Sequence, residues 1–316
     1  KIIDFKKNKN TPVTISAISL GIRKFEKVFR HMDPDLVCIP CDRYEMLGPA
    51  LAAFFLNIPI AHFFGGEVSY GSQDDTIRHT LTKLSNYHFV THKTHKKRVI
   101  QMGEDKKKVF TVGNLTIDNI INTKLYNIKN IQKLIKFKTD KKNLLVTFHP
   151  ITNIPGETVR QFSNLLKALS KFKDVNMIFT SPNADIGNLK IKKMIQKFMK
   201  KNKNASLYKS LGHRLYYSLL KNVDCVVGNS SSGLTEAPFL GATTLNIGNR
   251  QLHRLQAGKV VNVKANTIQI KKKINQIIKK KIILKIKNKV YLKTGATKNI
   301  IQILKKINLK DSTPKK

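Results

Sequence analysis

The sequence has no uninterrupted run of 18 apolar residues, which argues against a membrane-spanning helix. The longest candidate, residues 47–64, is interrupted by two prolines, an asparagine and a histidine. The first residues, Lys1 to Asp4, lack a long apolar core, so we expect no signal peptide. With 316 residues, the chain is long enough for two domains that each bury a core.

Cysteine is scarce, since Cys38, Cys41 and Cys225 are the three in the chain. Cys38 and Cys41 form a CxxC pair, yet both lie in or directly after the strand-like run 36–40. Because no second pair with metal-ligand spacing follows, the pattern favours neither a zinc site nor redox chemistry. A few unpaired thiols are typical of a reducing compartment, so we expect a cytoplasmic protein.

Negative charge is scarce too, because 19 Asp plus Glu stand against 59 Lys plus Arg, giving a net charge of +40 and a pI near 10.2. Most basic residues are Lys interleaved with Ile and Asn, as in residues 271–276, and neither Arg nor aromatic residues cluster with them. We therefore expect no specific nucleic-acid partner. An AT-rich coding sequence produces this composition without selection for binding, and we favour that interpretation. An anionic partner is the alternative, and the charge otherwise bears only on solubility and non-specific attraction.

Five of the few acids nevertheless fall close together, between residues 42 and 75. They are Asp42, Glu45, Glu67, Asp74 and Asp75. Several carboxylates in one place can act as bases or offset positive charge during a reaction. We interpret the stretch as the acid/base half of an active site.

Helical and strand-like patterns alternate along the first half of the chain, which predicts βαβ units and a parallel sheet. The predicted elements are helix 14–30, strand 36–39, helix 46–55, strand 58–63, helix 77–84, strand 87–91, helix 93–102 and strand 109–112.

A Lys/Asn-rich stretch, residues 122–143, separates this half from a second α/β series. That series has strands at 144–148, 176–179 and 225–227, and helices at 157–171, 189–200, 215–221 and from about 234. We predict an N-terminal Rossmann-like domain over residues 1–140, a C-terminal Rossmann-like nucleotide-binding domain over 141–265, and a Lys/Ile-rich helical segment over 266–316 that lies on the surface or bridges the domains. Two α/β domains in series predict a ligand cleft between them.

The predicted strand 225–227 runs into GNSSSG, residues 228–233, and then into a helix. Small residues let backbone N–H groups approach an anion, hydroxyls add donors, and the helix N-terminus is electropositive. A Ser-rich helix cap is an equally ordinary interpretation of the loop alone. Glu236 favours the phosphate interpretation, because a carboxylate one turn into the helix can accept both hydroxyls of a ribose. The loop and Glu236 together predict a nucleotide diphosphate site.

The segment HFFGGE, residues 62–67, ends a predicted strand with His62 and turns on two glycines before Glu67. A strand-end histidine is usually a satisfied polar residue, and two glycines are usually an ordinary turn. Asp74 and Asp75 follow at the start of a predicted helix, where one carboxylate would serve as a cap but two exceed that need.

Arg78 and His79 lie one helical turn beyond the two aspartates. At this spacing they can orient or neutralise the acids. The combination favours catalysis by several carboxylates.

Six ordered motifs carry a family resemblance. They are CDRYE at 41–45, HFFGGE at 62–67, DDTIRH with KLS at 74–85, HP at 149–150, GNSSSG with Glu236, and IGNRQ at 247–251. Together they closely resemble the hydrolysing UDP-N-acetylglucosamine 2-epimerases of sialic and legionaminic acid synthesis, from about residue 13 to residue 263. The resemblance implies an α/β fold of GT-B type, with two Rossmann-like domains and a ligand cleft, and no metal or added cofactor.

The resemblance also implies an activity, the hydrolysis of a UDP-linked 2-acetamido sugar with inversion at carbon 2. The products would be UDP and N-acetylmannosamine, or a bacillosamine-derived analogue, formed through a glycal intermediate. The implied acid/base and charge-stabilising residues are Glu45, Glu67, Asp74 and Asp75, and which of them is the base stays open. The implied substrate and nucleotide contacts are Asp42, Arg43, His62, His149, Ser230, Ser231, Glu236 and Arg250.

The sequence departs from the family at three positions. Cys41 and Thr116 stand where Gly is usual, and Asn249 where Asp is frequent. The family also begins with a strand and an Arg-containing loop that would precede Lys1. We therefore expect an incomplete N-terminal domain and a fragment that binds poorly or turns over slowly.

Two other classes of function stay open at this point. A non-hydrolysing epimerase or a GT-B glycosyltransferase would share the fold and the nucleotide site, although the GGE, DD and RH pattern favours hydrolysis. A catalytically silent nucleotide-sugar binder is the third hypothesis. Neither the sugar substituents nor the oligomeric state follows from the sequence, and a homo-oligomer is one alternative.

Overall fold

The computed structural model describes residues 13–279 and 290–309. Their contacts divide the chain into two compact units. The first unit comprises the described residues of 13–67, 73–114 and 295–309, and the second those of 68–72 and 115–294. Within these ranges no helix is both long enough and apolar enough to cross a membrane.

The first unit is a parallel sheet covered by helices. Its elements are α1 (Val13–Met32), β1 (Val37–Ile39), α2 (Leu47–Phe55), β2 (Ile60–Phe63), α3 (Asp74–Leu84), β3 (Tyr87–Val90), α4 (Lys93–Gln101), β4 (Val109–Thr111) and α12 (Ala296–Leu304). The four strands lie in the order β1-β2-β3-β4, and every neighbouring pair is parallel. Every residue of β2 and β3 is buried, including His62 and His88, as is usual for strands of a parallel sheet that is covered on both faces.

Helix α1 packs closely on α2 in this unit. A Cβ on Gly48 would lie 3.1 Å from the Gly21 backbone, so the two glycines let the helices approach. Phe29, Ile60 and Leu81 are buried in the core beside them.

The second unit is a larger parallel sheet, also covered by helices. Its elements are α5 (Leu115–Asn122), α6 (Ile128–Leu134), β5 (Lys142–Thr147), α7 (Glu157–Leu169), β6 (Val175–Thr180), α8 (Asn188–Lys201), β7 (Ala205–Tyr208), α9 (Gly212–Asn222), β8 (Cys225–Gly228), α10 (Ser232–Phe239), β9 (Thr244–Ile247), β10 (Val260–Val263) and α11 (Thr267–Ile278). The strand order is β10-β9-β8-β5-β6-β7, all parallel. The chain winds outward in opposite directions from β5 and β8, so their carboxyl ends form the position where such sheets bind ligands.

The two parallel α/β units confirm the predicted fold class, but several elements were missed. The patterns did not reveal α5, α6 or the short strands β7, β9 and β10. Buried polar residues such as Thr244 and Asn246 interrupt the apolar pattern of β9. Their strand conformation depends on pairing with neighbours far along the chain, which no local pattern reveals.

The C-terminal segment also differs from the expectation. Ile270, Ile274 and Ile277 of α11 are buried in the second unit's core, so this helix is a core element and not only a surface one. Helix α12 belongs to the first unit, where Asn299 Nδ2 donates to Val112 O at 2.8 Å. Residues 280–289 and 310–316 of the predicted helical segment lie outside the described residues.

The chain passes from the first unit to the second at residues 114/115 and returns to the first at 294/295, whereas the predicted domain boundaries are at 140/141 and 265/266. The reason for the earlier change is apolar packing both before and inside the polar stretch 122–143. Ile117 and Ile120 of α5 lie before the stretch and Ile131 of α6 lies within it, and all three are buried with Leu219 in the second unit's core.

Gly228 permits the close approach of β8 to β5 and yields the first prediction. Its φ is +143°, and a Cβ there would lie 1.8 Å from Thr147 O. Gly228→Ala should therefore reduce the free energy of unfolding by at least about 3 kcal/mol, because both backbone strain and a backbone clash must be relieved. The midpoint of thermal unfolding, followed by circular dichroism, measures the loss.

Gly241→Ala is the matched control. Gly241 also has a positive φ, +84°, but a Cβ there would meet nothing within 4 Å. That variant should lose only about 1 kcal/mol through backbone conformation. Equal losses in the two variants would contradict the clash at residue 228.

Candidate functional site

Arg78, on α3, is the centre of the acid-rich region in the first unit. Its guanidinium is only 1% exposed, and it donates to Asp42 Oδ2, to Asp75 Oδ1 at 3.2 Å and to Glu67 O at 2.9 Å. A buried guanidinium needs carboxylates that offset its charge and acceptors for its N–H groups, and these partners provide both. One cation therefore fixes two aspartates and the loop that carries Glu67.

His79 contacts one of these acids, Asp75, from the next position of α3. Its Nε2 lies 3.8 Å from Asp75 Oδ2. Burial lowers the pKa of His79, while Asp75 raises it in part. Arg78 and His79 thus both reach Asp75, as their spacing indicated.

The turn after β2 places the Glu67 carboxylate. Gly66 has φ +77°, and a Cβ there would lie 2.4 Å from His95 O, so only glycine fits. Arg98 Nη1 donates to Gly66 O. Glu67 is 3% exposed, and Thr91 Oγ1 donates to its Oε1 at 3.3 Å. Arg98 of α4 thus holds the backbone before Glu67, and Thr91, which follows β3, holds the carboxylate.

Arg43 links the remaining two predicted acids. Its Nη2 lies 3.4 Å from Glu45 Oε1, and its Nη1 lies 3.9 Å from Asp74 Oδ1. The guanidinium also lies 5.2 Å from the centroid of the Tyr44 ring, a cation–π distance. Four of the five predicted acids therefore lie beside arginines in the first unit, Asp42 and Asp75 at Arg78, and Glu45 and Asp74 at Arg43.

His62 is fully buried at the end of β2. Burial lowers its pKa to about 3, so the ring is neutral. Its Nε2 lies 3.2 Å from Cys41 O and its Nδ1 3.2 Å from Thr82 Oγ1. Cys41 has φ +71°, the left-handed conformation that favours the glycine usual in the family. These contacts give His62 a positioning role, since it holds the turn that precedes Asp42 and has no exposed surface.

Asn229 organises the second unit at the ends of β5 and β8. Its Oδ1 accepts from His149 N at 2.7 Å, and its Nδ2 donates to His149 O at 2.9 Å. Its backbone oxygen accepts from Gln251 Nε2 at 2.9 Å and from Arg250 Nη1 at 3.4 Å. The side chain thus joins the HP motif to the serine loop with two short hydrogen bonds.

His149 and Arg250 occupy different environments in this unit. Asn183 N donates to His149 Nδ1 at 3.1 Å, so the neutral ring carries its proton on Nε2, the form that donates to an anionic oxygen. Arg250 is 5% exposed and also donates through Nε to Pro150 O at 3.2 Å. Arg250 therefore braces the two loops, which is a positioning role.

The predicted phosphate loop leads into the N-terminus of α10. Ser231 is the N-cap residue, but its side chain makes no capping hydrogen bond, which weakens the interpretation as an ordinary cap. Among the described residues, the backbone N–H groups of Ser231 and Ser232 have no backbone acceptor. These groups and the hydroxyls are the donors that an anion at a helix N-terminus uses.

Hydroxyl groups underlie the loop. Ser232 Oγ lies 2.5 Å from Tyr216 OH and 3.2 Å from Ser230 Oγ. Burial raises the pKa of Tyr216, and Glu236 raises it further, so the phenol keeps its proton. The hydroxyls of Tyr216, Ser232 and Ser230 form a continuous chain.

Glu236 lies one turn into α10, as predicted. Burial raises its pKa to about 7, and Arg254 lowers it in part. No described residue forms a hydrogen bond with its carboxyl group. Such a carboxyl group gains from a ligand that donates hydroxyl hydrogen bonds to its charged form.

Each unit therefore brings its own predicted residues together. The first unit gathers Asp42, Arg43, Glu45, His62, Glu67, Asp74 and Asp75, and the second gathers His149, Ser230, Ser231, Glu236 and Arg250. Sequence reasoning missed the supporting residues, of which Asn229, Tyr216 and Thr91 are the clearest. Asn229 stood inside the GNSSSG motif directly after a strand, and that position was the available signal. Among residues 13–279 and 290–309, no group of three or more His, Cys, Asp and Glu residues is arranged to hold a metal ion.

Comparison with known proteins gives consistent matches. A family model described as UDP-N-acetylglucosamine 2-epimerase matches residues 1–305. The chain is 38% identical over 275 residues to a GDP/UDP-N,N'-diacetylbacillosamine 2-epimerase (hydrolyzing) of Campylobacter jejuni, covering 84% of this chain and 72% of that protein. It is 34% identical over 310 residues to polysialic acid biosynthesis protein P7 of Escherichia coli, covering 96% of this chain and 78% of that protein.

A solved structure shows the same fold. The crystal structure of UDP-GlcNAc 2-epimerase from Neisseria meningitidis bound to UDP-GlcNAc matches with a TM-score of 0.78 and 22% identity, covering 95% of this chain and 84% of that one. This likeness confirms the predicted GT-B-type fold class.

The raised pKa of Glu236 makes a prediction about stability. The carboxyl group has a folded pKa of about 7 against an ordinary 4.5. Below pH 4.5 the carboxyl group is protonated in both the folded and the unfolded chain, so it does not destabilise the fold. As the pH rises from 4.5 to 7, the unfolded chain ionises first, so stability falls, and above pH 7 the cost is complete at up to about 3 kcal/mol. Glu236→Gln should therefore raise the unfolding temperature at pH 8 and change it little at pH 4.5, as measured by calorimetry.

Glu157→Gln is a control of opposite sign. Hydrogen bonds from Arg160 and then Gln161 lower the pKa of Glu157 to about 2. Its carboxylate stabilises the fold above pH 4.5 and loses this effect as the pH falls through 2. The variant should unfold at a slightly lower temperature at pH 8. A lower unfolding temperature for Glu236→Gln at pH 8 would contradict the raised pKa.

Proposed function

The chain belongs to the UDP-N-acetylglucosamine 2-epimerase family, and we propose that it hydrolyses a UDP-linked 2-acetamido sugar with inversion at carbon 2. The products are UDP and a free 2-acetamido sugar of inverted configuration. The second unit holds the nucleotide in this proposal, and the carboxylates of the first unit act on the sugar.

The nucleotide site is the observation that carries the proposal. Strand β8 ends at the switch point of its sheet and continues into serines at the N-terminus of α10, where donors for a diphosphate are available. Glu236 supplies a carboxyl group for the ribose hydroxyls, and His149 offers its Nε2–H to the leaving diphosphate. These contacts favour a nucleoside diphosphate over a simple anion.

The acid cluster supports the chemistry at carbons 1 and 2. We assign Glu67 as the base that removes the carbon-2 proton while the bond from carbon 1 to the UDP oxygen breaks. This step leaves a glycal and passes through positive charge at carbon 1, which Asp42 and Asp75 stabilise electrostatically. Water then adds its oxygen to carbon 1, and a proton returns to carbon 2 on the opposite face.

The Arg43 group has a second role in the proposal. In this proposal the Arg43 guanidinium holds the carboxylates of Glu45 and Asp74 next to the sugar. They are the acid/base candidates for the addition of water. We expect no metal or added cofactor in either step, so the addition of a metal chelator should not change the rate of turnover.

Hydrolysis is favoured over transfer or reversible epimerisation by the relatives. The Campylobacter jejuni protein is named as hydrolysing, and the Escherichia coli protein is named for polysialic acid biosynthesis. A free 2-acetamido sugar is the product expected of such a step. UDP-N-acetylglucosamine and its diacetylbacillosamine counterpart are the two substrates to test, since they differ only in substituents at carbons 4 and 6.

The nucleotide assignment predicts the effect of one hydroxyl. Ser231→Ala should weaken UDP binding by about 1 to 3 kcal/mol, because a hydrogen bond to a charged phosphate is lost. Isothermal titration calorimetry on the full chain measures the change. The control is Ser170→Ala, which changes the residue that directly follows α7 and should bind UDP normally. Unchanged affinity in the Ser231 variant would remove this loop from the site.

The proposed reaction is tested by isotope incorporation. In deuterated water the released sugar should carry one deuterium at carbon 2, detected by NMR, because the proton removed there is replaced from solvent. UDP release without that label would mean plain glycoside hydrolysis and would overturn the proposal.

The Glu67→Gln variant should bind substrate normally but turn over about a hundredfold more slowly or worse, because the new side chain keeps the size of Glu67 and loses the base.

A further inference from the structure

Glu67 is the first member of a buried chain of three polar side chains. Thr91 Oγ1 lies 3.3 Å from Glu67 Oε1 and 2.8 Å from His95 Nδ1. All three residues are almost inaccessible, with exposures of 3% for Glu67, 5% for Thr91 and 1% for His95. Hydrogen bonds at such depth are strong and directional, because water does not compete for them.

Elementary valence fixes the direction of this chain. An ionised carboxylate only accepts hydrogen bonds, so Thr91 must donate its single hydroxyl proton to Glu67. The Thr91 oxygen can then only accept from His95. Nδ1 of His95 must therefore carry a proton whenever Glu67 is ready to act as a base.

Helix α4 is built around this loop. His95 and Arg98 lie three positions apart and so face the same side of the helix. Arg98 donates to Gly66 O, and the carbonyl of His95 lies where a side chain on residue 66 would be. The same face thus holds the backbone before Glu67 and, through Thr91, one of its carboxylate oxygens.

We propose that Thr91 and His95 are positioning residues for Glu67, which fix the orientation of its carboxylate through the hydrogen bond to Oε1. The inference rests on the proposed function, in which Glu67 removes the carbon-2 proton. The hydrogen bond from Thr91 fixes one carboxylate oxygen of the base, and the Nδ1–H of His95 prevents the hydroxyl from turning away. Neither residue needs to touch the sugar.

Matched substitutions separate the hydrogen bonds from the packing. Thr91→Val keeps the shape and loses the hydroxyl, whereas Thr91→Ser keeps the hydroxyl. His95→Leu removes the ring nitrogens, whereas His95→Asn keeps an N–H near the position of Nδ1. The Val and Leu variants should lose tenfold or more in kcat with KM within about threefold of the wild type, and the Ser and Asn variants should recover most of that loss.

Coupling to Glu67 distinguishes positioning from general support of the fold. In a Glu67→Gln background, Thr91→Val should cause little further loss, because the group through which Thr91 acts is already gone. With substrate deuterated at carbon 2, Thr91→Val alone should show a larger isotope effect than the wild type. A kcat within twofold of the wild type in Thr91→Val, or an undiminished loss in the double variant, would overturn the inference.

A measurement without turnover keeps the inference separate from the proposed function. Nitrogen NMR of the protein labelled at histidine should show His95 protonated at Nδ1 in the wild type and a loss of that preference in Thr91→Val. A wild-type His95 protonated only at Nε2 would overturn the hydrogen-bond direction, whatever the activity. A wild type with this tautomer that releases no UDP from either sugar nucleotide would instead contradict the proposed function.

Discussion

The buried guanidinium of Arg78 is the interaction on which the first unit's site depends. It lies between Asp42, Asp75 and the carbonyl of Glu67, and these come from three separate stretches of the chain. Two carboxylates close together would repel each other, and the cation between them offsets that repulsion. The geometry of the acids therefore follows from the placement of one side chain on α3.

The second unit's serine loop is supported mainly by neutral groups. In the proposed function a diphosphate uses backbone N–H donors of this loop, so those donors are not available for the loop's own stability. Asn229 compensates by tying the loop to the HP motif from beneath, and Arg250 and Gln251 hold its carbonyl. These four hydrogen bonds are all made by the side chain and the backbone oxygen of Asn229. One unit is organised by charge and the other by amide hydrogen bonds.

The sequence predicted the fold well where a pattern was local. The alternation of helix and strand identified β1, β2, β3 and β4 nearly to the residue, because buried parallel strands read as short apolar runs. It could not identify β9, where Thr244 and Asn246 are buried in a strand that exists only through its neighbours. Boundaries at 140 and 266 were expected from composition, yet three isoleucines among many lysines are enough to fix α5 and α6 in the second core.

Candidate site residues show the same division between local and long-range information. The acids and the serine loop could be recognised by type and spacing. The burial of His62 and Arg250 could not, because both residues look equally suited to binding a ligand until the surrounding packing is known. Thr91 and His95 carried no signal, since Thr91 contacts Glu67, more than twenty residues away, and His95 contacts Thr91.

Arg78 also explains which acids a lysine-rich chain retains. Codon drift can replace an exposed acid by Lys or Asn at almost no cost, because surface ion pairs contribute little. Loss of Asp42 or Asp75 would instead leave a buried cation without one of its two carboxylate partners, which costs several kcal/mol. The acids around Arg78 can therefore persist in a chain that has become poor in acids elsewhere.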